Sequence, residues 1–112
     1  MIYELRMYDI DPAMMEAYLQ WANDTAFPLL LDRFKLDVVG FWHQTAIPPE
    51  IAQGTATNVV WMIRWQSEEE RNAAWKHIRA HPEWKAIRDD APPYWKKIDS
   101  QLMTTIPRSP KP

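Results

Sequence analysis

The sequence predicts an α+β sandwich, a four-stranded antiparallel sheet with its helices on one face. Three observations carry this. Period-two alternation marks strands near the start, the middle and the end of the 112-residue chain. Two helical patterns with start signals fall between them, so the order is β-α-β-β-α-β, the split-βαβ pattern. The strand around Trp61 is apolar on both sides, with Val59, Trp61, Ile63 and Trp65 against Val60 and Met62. Such a strand needs cover on both faces.

In chain order, residues 2–10 form the first strand. Tyr3, Leu5 and Met7 share one face, while Glu4, Arg6, Tyr8 and Ile10 share the other. Asp11-Pro12 supplies an N-cap and a first-turn proline, and Met14, Ala17, Tyr18 and Trp21 follow at helical spacing. Pro28 is expected to end or kink this helix near Ala26-Phe27, with a short helical continuation over residues 29–34. The second strand is expected over residues 36–47, with Val38, Gly40 and Trp42 on one face and Val39, Phe41 and His43 on the other. Gly40 inside it signals a bulge or a close approach by another group. Pro48-Pro49 stops it, and residues 50–56, with Gly54, make a loop before the Trp61 strand.

Ser67-Glu68-Glu69-Glu70 is a capping box with three acids at the positive end of the helix dipole. Ala74, Trp75 and Ile78 form the apolar stripe of the helix it starts. His81-Pro82 marks a second start, giving a short helix to about Asp90 with Trp84 and Ile87 inward. The last strand is expected over residues 97–106. Residues 107–112, three of them proline, read as a flexible tail outside a domain of residues 1–106.

Composition narrows function by exclusion. The chain has no cysteine, which removes disulfides, thiol nucleophiles and thiolate metal sites. Its two glycines stand alone, so the dinucleotide fingerprint and the P-loop are both missing. A net charge of -2 with interspersed signs leaves no basic footprint for nucleic acid. No apolar run approaches the roughly 20 residues of a membrane span, and the N-terminus carries no leader pattern. The expectation is a cytoplasmic protein with neither a membrane nor a nucleic-acid partner. In a ferredoxin-like sandwich the helices cover one sheet face and leave the other open. Here that face would carry Val, Trp and Phe, a liability for a monomer, so a homodimer through the sheet faces is expected.

Several stretches together carry a family resemblance. Tyr3-Glu4-Leu5-Arg6-Met7-Tyr8 resembles the opening strand of NIPSNAP-family proteins, and Val39-Gly40-Phe41-Trp42 resembles their second-strand motif. Trp61, Ser67, Glu69-Glu70-Arg71 with Trp75, and Pro82-Glu83-Trp84 are similar to their third strand and second helix. The resemblance covers roughly residues 2–106. It implies the dimeric α/β-barrel superfamily, in which two ferredoxin-like sheets pack face to face and each subunit holds a cavity between sheet and helices. The absence of a mitochondrial leader points to the small bacterial type. The family brings no reaction with it, and its superfamily hosts many chemistries.

Candidate chemistry follows from a few residues. His43, on the second strand, is the candidate general acid/base, against a plain reading as a solvated strand-end histidine. His77 and His81 have i, i+4 spacing but lack the intervening glutamate of H-E-x-x-H. His81 precedes Pro82, which favours a capping role, and no metal site or cofactor is expected. Glu4 and Arg6 read as an ion-pair network with Arg64 inside the barrel, joined by Asp99 and Gln101 on the last strand. Tyr18, Trp21, Trp42, Trp61, Trp75 and Trp84 are the expected walls of a pocket for an apolar or aromatic ligand, against a reading as plain core. The functional expectation is therefore a homodimeric domain binding a small apolar or aromatic ligand. The alternatives are a cofactor-independent monooxygenase or cyclase using His43 on an aromatic or polyketide-like substrate, and a haem protein ligated by His43, His77 or His81.

Overall fold

The computed structural model describes residues 1–50 and 56–112. Most of the expected loop with Gly54 lies outside the described residues. Strand β1 spans Ile2–Ile10, β2 Val38–His43, β3 Val59–Trp65 and β4 Trp95–Met103. Helix α1 spans Met15–Trp21, α2 Glu68–Ala80 and α3 Pro82–Asp89. The sheet order is β2-β3-β1-β4 with every pairing antiparallel, the ferredoxin-like arrangement.

The register fixes which residues share a face. Glu4 pairs with Ile63, Arg6 with Trp61 and with Ser100, and Tyr8 with Val59 and with Ile98. All of these point toward the helices. Val59, Trp61, Ile63 and Trp65 are buried there together, and the alternate residues of β3 are only half-buried. Leu5, Met7, Val60, Met62 and Trp42 share the opposite, open face. Both tryptophans of β3 thus belong to the subunit's own core, which resolves the two-sided strand into one buried and one open face.

Four local details depart from the sequence expectation. The register of β2 on β3 shifts between Val38 and Gly40, so Val38 pairs with Ile63 and packs on the core beside Phe41 rather than sharing a face with Trp42. Strand β2 is six residues long, not twelve. Strand β4 starts at Trp95 and stops at Met103, because Trp95 pairs with Ile10 and Met103 with Tyr3. Beyond Met103 only Ile2 of β1 remains, and its partner is Trp65 of β3.

The fourth detail concerns Pro28, which does not end the first helical segment. The backbone stays helical through it (φ -54°, ψ -41°), inside two wider turns, Ala22–Ala26 and Leu29–Arg33. The Phe27 amide bonds the Ala22 carbonyl and the Phe34 amide bonds the Leu29 carbonyl. A proline ring would clash with the carbonyl four residues back in a regular α-helix. Widening to bonds spanning five residues relieves that clash and keeps Leu30 in the core.

The expected caps form. Asp11 accepts from the Ala13 amide at 3.0 Å, Ser67 accepts from the Glu70 amide at 3.1 Å, and Glu70 accepts from the Gln66 amide at 2.6 Å. Asn58 has a role that no sequence motif announced. Its side chain accepts from the Ile10 amide at 2.9 Å and donates to the Ile10 carbonyl at 2.8 Å, while its own amide bonds the Tyr8 carbonyl. It thereby closes the end of β1 beside the irregularity at Asp9/Ile10. In the tail, the Pro112 carbonyl accepts from Arg64 at 3.1 Å.

Candidate functional site

Glu4 sits at the centre of the helix-covered face and is completely buried. Each of its oxygens accepts three hydrogen bonds. Oε1 takes the Trp65 indole (3.0 Å), the Trp75 indole (2.9 Å) and Arg71 Nε (3.1 Å). Oε2 takes Arg6 Nη1 (3.0 Å), Arg71 Nη2 (2.9 Å) and the Ser100 hydroxyl (2.8 Å). Burial alone would raise this carboxyl. The hydrogen bonds from Arg71, Trp75 and Ser100 and the charge of Arg6 outweigh burial and hold it down to about 2. A buried carboxylate saturated by donors is a structural hub, tying β1, β3, β4 and α2 together at one point.

This corrects the expected network. Arg64 takes no part: it lies on the open-face side of β3, opposite Tyr3, and pairs with Asp37 at 3.0 Å. Arg71 of α2 takes the place expected of Arg64. The last strand contributes Ser100, while Asp99, opposite Met7, and Gln101, opposite Leu5, face the other way. The network therefore lies between sheet and helices within one subunit.

From Glu4 the polar chain runs outward. Arg6 Nε donates to the Tyr8 hydroxyl at 3.0 Å, and the Trp61 indole donates to the same hydroxyl at 2.9 Å. The Arg6 guanidinium lies over Trp75, with 4.8 Å from carbon to ring centroid. Beyond it opens a cavity of about 200 Å³ between sheet and helices. Five of the seven tryptophans line it: Trp21, Trp61, Trp75, Trp84 and Trp95. At one end Tyr18, Trp21, Tyr94 and Trp95 pack mostly edge to face, the Trp21 and Trp95 rings 5.4 Å apart at 84°. Burial raises the Tyr18 hydroxyl's pKa well above the usual phenol range, and the neighbouring Tyr8 adds to this; Arg6 and Arg88 only partly offset it. Tyr18 is therefore a neutral wall residue at any physiological pH.

The structure brings together five of the six expected wall residues: Tyr18, Trp21, Trp61, Trp75 and Trp84. Trp42 is elsewhere, on the open face and 51% exposed. Trp95 was missed because the last strand was expected to begin two residues later. Trp65, by contrast, spends its indole on Glu4. His43 stands exposed at the end of β2. It lines a separate open groove with Leu19, Asn23, Phe27 and Leu31 and does not reach the aromatic cavity. His43 and Tyr18 therefore do not converge on one pocket.

His81 joins α2 to α3. Its Nδ1 accepts from the Glu83 amide at 3.2 Å, and its extended ψ of 129° is the conformation that a residue before proline favours. Its ring lies edge-on to Phe34, as does that of His77. Among the described residues, no three His, Asp or Glu side chains come together as a metal site. No helix among them is long and apolar enough to cross a membrane.

Sheet order, one-sided helices and the cavity between them define a ferredoxin-like α+β protein. The sequence matches the NIPSNAP family over residues 3–110, and the chain belongs to that family. A NIPSNAP domain protein from Burkholderia xenovorans is similar in structure, with a TM-score of 0.80 at 20% identity, over 99% of this chain and 100% of that one. A NIPSNAP family protein from Agrobacterium tumefaciens gives 0.81 at 16%, over 97% and 96%. A protein from Nitrosomonas europaea, provisionally named as an antibiotic biosynthesis monooxygenase, gives 0.63 at 8%, over 95% and 99%. At these identities the likeness is one of fold. No curated protein matches the sequence at a significant level.

Proposed function

We propose that this chain is a homodimeric binding domain that takes a small apolar or aromatic ligand in the cavity between its sheet and helices. The observation that carries the reading is the cavity itself, walled by five tryptophans, one of which, Trp75, is anchored on Glu4. Its volume of about 200 Å³ suits a ligand of one ring, since cavities of about 150 Å³ admit benzene. The exposed position of His43 leaves the monooxygenase or cyclase alternative without an acid/base inside the cavity, so binding is the better-supported function.

The second copy is expected on the open face, where Leu5, Met7, Val60, Met62 and Trp42 form an apolar surface in the isolated chain. Sedimentation should give twice the 13.3 kDa chain mass, and Met62→Lys should return it to one. A wild-type monomer at micromolar concentration sinks the dimer. For the cavity, thermal-shift and tryptophan-quenching titrations against small one-ring aromatics should find binders that Ala26→Phe blocks by filling the space. If no compound binds the wild type, or if Ala26→Phe binds as well as wild type does, the cavity reading fails.

A further inference from the structure

The walls of the cavity are aromatic, and its charged groups are all of one sign. Arg6, Arg79 and Arg88 line it, and no Asp or Glu does. Arg6 shares Glu4 with Arg71, so that buried cluster holds two guanidinium charges against one carboxylate. Arg79 lies over Trp75 at 5.6 Å and Arg88 over Trp95 at 4.3 Å, and neither has an acidic partner among the described residues. The Trp95 indole N–H is buried and meets only the Tyr18 hydroxyl, too loosely for a well-formed hydrogen bond. The Tyr8 hydroxyl accepts from two groups that can only donate, Arg6 Nε and the Trp61 indole, which leaves its own proton for a third partner.

The cavity lining thus carries only positive charges, together with a hydroxyl proton on Tyr8 that has no acceptor among the described residues. Such a site is complementary to an acceptor-only, negatively charged group. The ring faces then accommodate whatever flat body carries that group, and the volume limits it to about one ring.

We infer that the ligand of this cavity is a small aromatic carboxylate, its ring held among the tryptophans and its oxygens facing Arg79, Arg88 and Tyr8. This rests on the cavity being a ligand site, and it names the chemical class that enters. The preference follows from hydrogen bonds between opposite charges, which a carboxylate makes with arginine and its neutral amide cannot. Arginine, with its planar fork, suits a carboxylate better than lysine does.

The test is a titration of the full chain with phenylacetate, its neutral counterpart phenylacetamide and the cation phenethylammonium, followed by tryptophan quenching and calorimetry. Phenylacetate should bind at least about tenfold more tightly than the amide, and phenethylammonium should be the weakest. Arg88→Met and Arg79→Met keep an apolar stem over the indoles. Each should weaken phenylacetate about tenfold, leave phenylacetamide nearly unchanged, and leave the melting temperature within a few degrees. Arg88→Lys should recover part of the loss. If phenylacetamide binds as tightly as phenylacetate, or if the Met variants weaken both equally, the carboxylate assignment is overturned while the cavity reading stands. If none of the three ligands binds and neutral one-ring aromatics also fail, both fall together.

Discussion

Glu4 is the residue on which most of this core depends. Its carboxyl is held at about 2, against 4.5 for the unperturbed group. A depressed carboxyl stabilises the fold fully above its unfolded value, and that stability drains away as the pH falls through the folded one. Urea midpoints should therefore hold from pH 7 to about pH 4.5 and then fall between pH 4.5 and 2, with a loss of about 3 kcal/mol from this group. A flat profile across that window sinks the assignment. Glu4→Gln removes the charge that Arg6 and Arg71 share and should cost about 3–5 kcal/mol at neutral pH. Arg64→Ala should cost under about 1 kcal/mol, because its pairing with Asp37 is solvated. Sequence placed Glu4 and Arg6 on one strand face but chose the wrong partner. Arg71 lies four residues before Trp75, on the same helical stripe, and a charge on a buried stripe was the available signal. Nothing local told Ser100 from Asp99 as the contributor from β4, because that depends on the pairing register.

At the scale of elements, most of the architecture was legible because its signals are local. Alternation gave β1 and β3, and the capping box gave the start of α2. What escaped reading was set by neighbours. Strand β4 takes its bounds from its pairing with β1, and its start at the Ile10 partner Trp95 sets that residue in the cavity wall. The wide turns around Pro28 arise where tertiary packing of Leu30 outweighs the ordinary helix-ending effect of a proline. Asn58 reads in sequence as an unremarkable loop residue, yet it bonds both backbone groups of Ile10. Asn58→Ala should cost about 2 kcal/mol by leaving those groups unpaired, whereas Asn58→Asp, which sets a carboxylate oxygen against the Ile10 carbonyl, should cost more than Ala. Equal losses in the two variants would remove the two-bond account.

For the whole molecule, the two sheet faces have separate tasks. The inner face is saturated with internal bonds around Glu4 and encloses the cavity, so its substitutions should alter folding and ligand binding within one subunit. The open face should govern association. Gly40 separates the two effects, because a Cβ there would press on the exposed Trp42 ring, 2.6 Å from its Cη2. In a lone chain the indole can swing into solvent, so Gly40→Ala should change folding stability by under about 1 kcal/mol. In a dimer with Trp42 held in the interface, the same change should raise the dissociation constant about tenfold. An unchanged association constant would place Trp42 outside the interface.

The indoles of Trp65 and Trp75 both donate to one oxygen of a buried carboxylate, and this gives them a magnetic signature. In a proton spectrum of the ¹⁵N-labelled protein, these two side-chain resonances should lie furthest downfield of the seven. Being locked to a charge and shielded from water, they should also exchange with deuterium only as fast as the whole domain opens. Trp42, exposed on the open face, should lose its signal first. One indole spectrum would thus report the integrity of the core at two positions and the coverage of the open sheet face at a third.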